Sequence, residues 1–179
     1  MKPWPRIAPH TPAERRWLGV SGLLAILFLA ADQLTKWWFV RNWPLYRTKA
    51  VIPGWFNFTY VRNTGAAWSI FSGQVWPLLV FGLLVAVGIV WGFRKLAEAC
   101  SERYVAIMLV LSGIVGNSID RLCRGAVVDF IHIHYFNKWH YPVFNVADIA
   151  ICCGIGIFIL SGFLRKTPSS EAANADGDR

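Results

Sequence analysis

The sequence predicts an all-α membrane protein of four transmembrane helices with a small sheet resting at one membrane interface. Three observations carry that prediction. Hydrophobic residues make up 55% of the 179-residue chain and charged residues only 16%, whereas a soluble domain carries about 25% charged residues. The apolar residues fall in blocks close to the roughly 20 residues that cross a bilayer. Basic residues sit beside those blocks instead of gathering into one patch.

Residues 1–16 are proline-rich with mixed charge and read as a poorly ordered tail. The first span covers about 17–40 and opens with WLGVSGLLAILFLAA. Its Leu29, Ala30 and Ala31 resemble a leader-processing site. Three further spans follow, at about 75–93, 104–122 and 143–164, so the first is read as a retained helix of one membrane domain over 17–164. The loops at 41–74 and 123–142 then share one side. Residues 165–179 are polar and read as a disordered tail.

Alternating aromatic residues Phe56, Phe58 and Tyr60 within 50–63 predict a strand, and the β-branched run in 125–135 predicts a second. Arg15, Arg16, Arg94, Lys95, Arg103, Arg165 and Lys166 flank the spans. They favour a cytoplasmic N-terminus, 94–103 loop and C-terminus, although Arg41, Arg47, Lys49 and Lys138 on the other side weaken the bias. The same placement accounts for the formal charge of +8 without a nucleic-acid partner.

Cys100, Cys123, Cys152 and Cys153 have no metal-ligand spacing, and His132, His134 and His140 read as surface of a strand or loop. No metal or cofactor is expected.

Charged and amide side chains within spans are costly, about 2.5 to 3.5 kcal/mol for a charge at the helix centre. Asp32 and Lys36 end span one, Asn117, Asp120 and Arg121 end span three, and Asn145 and Asp148 begin span four. Alternating topology brings all of them to one membrane face, where residues 62–69 also arrive. Asp32 lies roughly 22 Å up its span and Asp148 roughly 24 Å up its own, so their depths match. Asp32, Asn63 and Asn117 suit bundle packing as well as function. Lys36 is expected to snorkel, and Arg121 to orient or neutralise a carboxylate.

Asp129 of the 123–142 loop joins Asp32, Asp120 and Asp148 at that face, and four gathered aspartates are harder to assign to packing, because like charges raise one another's proton affinity. Two close carboxylates share one proton, leaving one as base for water and the other as acid for a scissile carbonyl. Rival readings are a proton-coupled carrier, a non-catalytic assembly factor, and a serine peptidase using Ser69 or Ser118 with Lys36.

The blocks DQLTK (32–36), NTGAAWSIF (63–71), GNSIDR (116–121), VVDF (127–130) and FNVADIA (144–150) resemble, in order, the motifs of bacterial lipoprotein signal peptidase, or signal peptidase II. The resemblance runs from span one to span four. It implies an aspartic endopeptidase with Asp129 and Asp148 as the catalytic dyad, and Asp32, Asn63, Asn117, Asp120, Arg121 and Asn145 binding substrate or supporting the dyad. It further implies cleavage of diacylglyceryl-modified prolipoproteins before the lipidated cysteine and an extracytoplasmic β-cradle. The expected setting is the bacterial inner membrane, with both termini cytoplasmic and the site near the periplasmic face. The expected partners are the lipidated precursor and membrane lipid, with the chain acting as a monomer. Trp68, Ser112 and Val115 depart from the family pattern and bear on packing and pocket detail.

Overall fold

The computed structural model describes residues 11–65, 71–136 and 138–165. Trp68, Ser69, residues 1–10 and residues 166–179 lie outside the described residues. Four helices, α1 (Pro12–Asn42), α2 (Val75–Ala97), α3 (Ser101–Arg124) and α4 (Val146–Leu164), are each long and apolar enough to cross a membrane. Their surfaces are inverted relative to a soluble bundle. Leu23, Ile26, Trp91 and Phe163 are exposed, while Asp32, Lys36, Asp120 and Asn145 are at most 1% exposed. That inversion is what a hydrocarbon solvent selects.

α1 begins before the apolar run because Thr11 and Glu14 form a capping box around Pro12: Glu14 N–H donates to Thr11 Oγ1 at 3.2 Å, and Thr11 N–H donates to Glu14 Oε2 at 2.6 Å. α4 begins at Val146, after the apolar run that starts at 143, because Phe144 is extended and bridged to Ile131 before Asn145 caps the helix.

α3 is the central helix and touches the other three. Small residues set that closeness. A Cβ on Gly116 would lie 2.6 Å from Asp32 Oδ2, and one on Gly154 would lie 2.6 Å from the Ala106 carbonyl. Glycine is what lets α1 and α4 approach α3 at these points. The expected packing departure at Ser112 is absorbed locally, its buried hydroxyl donating to the Leu109 carbonyl at 2.8 Å.

The sheet is antiparallel with strands in sequence order: β1 (Thr48–Ile52), β2 (Phe56–Asn63), β3 (Val127–Tyr135) and β4 (Trp139–His140). The single strand expected over 50–63 is a hairpin, because Pro53 and Gly54 (φ 83°) turn the chain and Trp55 N–H donates to the Ile52 carbonyl at 3.0 Å. β2 and β3 dock onto α1 through a cluster of Phe39, Tyr60, Val128 and Phe130, with the Phe39 and Phe130 rings stacked at 4.3 Å. Chain connectivity puts the sheet where α1 and α3 end and α4 begins, so the polar span residues and the strand carrying Asp129 meet at one end of the bundle.

Candidate active site

Each site residue has a local reason for its place. Asn145 is the N-cap of α4 and Asp148 is the third residue of that helix, so the two form a capping box: Asp148 N–H donates to Asn145 Oδ1 at 3.0 Å, and Asn145 N–H donates to Asp148 Oδ2 at 3.1 Å. Asp129 sits in β3 opposite Val61 of β2 and is 2% exposed. Asn63 closes β2, and its Nδ2 donates to Asp129 Oδ2 at 3.0 Å. Asn145 Nδ2 donates to Asp129 Oδ1 at 2.6 Å. From α3, Asn117 Nδ2 donates to Asp148 Oδ1 at 2.8 Å. Asn145 therefore bonds both aspartates, and both line one cavity of about 190 Å³ with Asn117, Arg121 and Ile151.

The structure sorts the four converging aspartates into two pairs. Asp32 and Asp120 are neutralised: Lys36 Nζ lies 2.9 Å from Asp32 Oδ2 and 3.0 Å from Asp120 Oδ2, and Arg124 also pairs with Asp120. Asp129 and Asp148 are held by neutral amides, and among the described residues neither makes an ion pair. Burial above all, and then the charge of Asp148, push the Asp129 carboxyl up to about 7, against the opposing amide hydrogen bonds of Asn63 and Asn145. Proton sharing needs such a pair, since a cation bonded to either carboxylate would lock it ionised.

One expectation needs correction. Lys36 does not snorkel; it is fully buried between α1 and α3, because Asp32 one turn before it and Asp120 compensate its charge. Arg121, expected to orient or neutralise a carboxylate, lines the cavity with Asp129 and Asp148 but makes no ion pair with a carboxylate among the described residues. Its guanidinium turns to the cavity, with Nη2 donating to the Gly65 carbonyl at 3.2 Å and Nη1 reaching the Asn117 carbonyl at 3.5 Å. Arg124, not singled out from the sequence, is the arginine that pairs with Asp120, at the i,i+4 spacing of a helical ion pair.

The rival sites fare differently. Lys36 directs its ammonium to Asp32, Asp120 and Asn117, so it serves no serine among the described residues. The four helices are unbroken, unlike the discontinuous helices of many carriers. His132, His134 and His140 lie side by side on the sheet with ring centroids 5.2 to 5.6 Å apart. Among the described residues no group of three or more His, Cys, Asp or Glu side chains is arranged to hold a metal ion.

Comparison with known proteins places the chain in a family. Residues 24–164 match the family described as Signal peptidase (SPase) II. The chain is 41% identical over 150 residues to a lipoprotein signal peptidase of Bacillus pumilus, covering 84% of this chain and 96% of that protein. It is 41% identical over 142 residues to the lipoprotein signal peptidase of Bacillus subtilis, covering 79% and 92%. Two bacterial membrane enzymes solved by the in meso method share the fold. One, at 2.3 Å, has a TM-score of 0.78 and 32% identity, covering 86% of this chain and 93% of that one. The other, at 1.9 Å, has a TM-score of 0.72 and 35% identity, covering 83% and 95%.

Proposed function

This chain belongs to the signal peptidase II family, and we propose that it removes the signal peptide of diacylglyceryl-modified prolipoproteins by aspartic catalysis at Asp129 and Asp148, cutting just before the lipidated cysteine. The observation that carries the reading is the un-neutralised carboxylate pair, bonded only by amides and facing one cavity.

The chemistry follows from one shared proton. The ionised carboxylate takes a proton from water as its oxygen adds to the scissile carbonyl carbon, and the protonated carboxyl gives its proton to the carbonyl oxygen. The tetrahedral diol then collapses. The C–N bond breaks, the proton gained from water goes to the departing amine, one diol hydroxyl returns its proton to the carboxylate that had given one as the carbonyl reforms, and the new acid and amine leave with the shared proton restored. Asn63, Asn117 and Asn145 hold both carboxylates in orientation without fixing their charge.

Asp129 also borders a second cavity of about 480 Å³ lined by Arg62, Thr64, Ser72 and His140. The smaller cavity reaches Ile151 and Cys152, and Cys152 is exposed on α4, a helix long and apolar enough to cross a membrane. An extended peptide can occupy the larger cavity while acyl chains lie against the smaller. The family setting supports a bacterial inner-membrane location with both termini cytoplasmic and the dyad toward the periplasmic face. Both aspartates come from one chain, so a monomer is sufficient.

The test is incubation of the purified protein with a diacylglyceryl-modified precursor and with the same precursor unmodified. Release of signal peptide from the lipidated form alone is expected. No release, or equal release from both, overturns the reading.

A further inference from the structure

We propose that Lys36 is a positioning residue for the dyad, its single ammonium holding together the three segments that place Asp129 and Asp148. The inference rests on the reading above.

An ammonium has three protons to donate and no acceptor. Three oxygens receive Lys36 Nζ: Asp32 Oδ2 at 2.9 Å, Asp120 Oδ2 at 3.0 Å and Asn117 Oδ1 at 3.0 Å. Each acceptor residue makes a further hydrogen bond at a position next to the dyad. Asp32 Oδ1 accepts from Ala147 N–H at 2.9 Å, one residue before Asp148. Asp120 Oδ2 also accepts from Val128 N–H at 3.0 Å, one residue before Asp129. Asn117, its carbonyl oxygen held by Lys36, turns its amide nitrogen to Asp148. The first turn of α4, the start of β3 and the Asn117 amide are thus referenced to one atom.

The charged groups around that atom balance. Asp32 faces it from α1 and Asp120 from α3, with Arg124 behind Asp120. α4 contributes a backbone N–H to this cluster through Asp32. Lysine suits the place because its three donors radiate from a compact centre, whereas the donors of arginine lie in a planar fork. Loss of this hub moves reacting groups without removing any of them, and a misplacement of about 1 Å costs on the order of a hundredfold in rate.

The experiment compares the full-length parent, Asp129→Asn, Lys36→Arg, and the paired variant Lys36→Met with Asp32→Asn, which leaves no unpaired buried charge at Asp32. kcat, KM and thermal midpoint are measured on a diacylglyceryl-modified precursor. The expected result is a kcat lower by about a hundredfold in a folded Lys36 variant, with KM unchanged and a midpoint close to that of the parent. Parental kcat in either folded Lys36 variant overturns the proposal, as does an effect confined to KM. Loss of fold in both variants also overturns it, because Lys36 then holds the bundle and not the site. A parent that fails to cleave, or an Asp129→Asn variant that cleaves normally, instead sinks the peptidase reading itself.

Discussion

Asn145 bonds Asp129 through its side-chain nitrogen at 2.6 Å while its side-chain oxygen caps the helix that carries Asp148. One amide thus performs two separable tasks. Asn145→Asp keeps an oxygen able to cap α4, since Asp and Asn are comparable caps, but replaces the donor facing Asp129 with a third carboxylate. Thermal stability is expected to fall by no more than about 1 kcal/mol on the capping account, while cleavage drops by about a hundredfold or more. Parallel measurement of melting and turnover checks the separation; equal loss of both argues that Asn145 is only a cap.

Asp129→Asn and Asp148→Asn are each expected to lower cleavage by at least about a thousandfold, within the range that acid–base groups contribute. Neither change removes volume, and asparagine at 148 still offers an oxygen to the Asn145 N–H. Both variants should therefore insert and fold like the parent. Turnover by either purified variant near the parental rate would remove that residue from catalysis.

The raised proton affinity of Asp129 gives a signed pH dependence. Its carboxyl titrates near 7 in the folded chain against 3.8 unperturbed. Between those values the folded state binds more protons than the unfolded one, so this group makes stability fall as pH rises through the window. Asp129→Asn lacks that slope and should melt above the parent at pH 8, with the advantage shrinking toward pH 4. His132 pulls the other way in both proteins, since burial and then its neighbours His134 and His140 lower its pKa, and the comparison cancels it. The kcat/KM of the parent should fall above about pH 7, where the pair loses its shared proton. Activity that climbs steadily from pH 6 to 9 contradicts this.

Helices are legible because hydrocarbon demands contiguous apolar residues, whereas the start of α1 lies inside the segment 1–16 that reads as a tail, although Thr11–Pro12–Ala13–Glu14 is a local capping signature. The Pro53–Gly54 turn that splits the hairpin is equally local, but the aromatic alternation that follows it dominates the pattern. The site divides along the same line. Convergence of Asp32, Asn117, Asp120, Asn145 and Asp148 on one face followed from topology alone. Their pairing did not, because Lys36 joins α1 to Asp120 and Asn117 on α3, and Asn145 joins α4 to β3, contacts with no sequence-local trace. The i,i+4 spacings of Asp32 with Lys36 and Asp120 with Arg124 were readable and point to ion pairs instead of a snorkelling lysine.

Gly116 is where α3 meets both the Asp32 carboxylate and α4. An added Cβ would lie 2.6 Å from Asp32 Oδ2 and 3.2 Å from Ala147 Cβ, so Gly116→Ala forces Asp32 or the first turn of α4 to move. Overpacking of this kind costs about 1 to 3 kcal/mol. Because Asp32 also holds the Ala147 N–H beside Asp148, turnover should fall further than stability alone accounts for. Gly88, where a Cβ meets nothing within 4 Å, supplies the control: Gly88→Ala should leave both quantities unchanged.

Phe39 fixes the strand that carries Asp129. Its ring stacks on Phe130 at 4.3 Å and packs near Phe58 at 5.4 Å, and it is 4% exposed. Phe130 is adjacent to Asp129, so a cavity at Phe39 loosens β3 against α1 directly behind the dyad. Phe39→Ala is expected to cost about 3 to 5 kcal/mol and to lower turnover, whereas Phe39→Leu, which refills most of the space, should recover much of both. Hydrogen exchange at the Val128 and Phe130 amides reads the strand itself: Val128 donates to Asp120 and Phe130 to the Phe144 carbonyl. Faster exchange at both in Phe39→Ala is the expected result, and unchanged protection with reduced turnover would place the effect of Phe39 elsewhere than in holding β3.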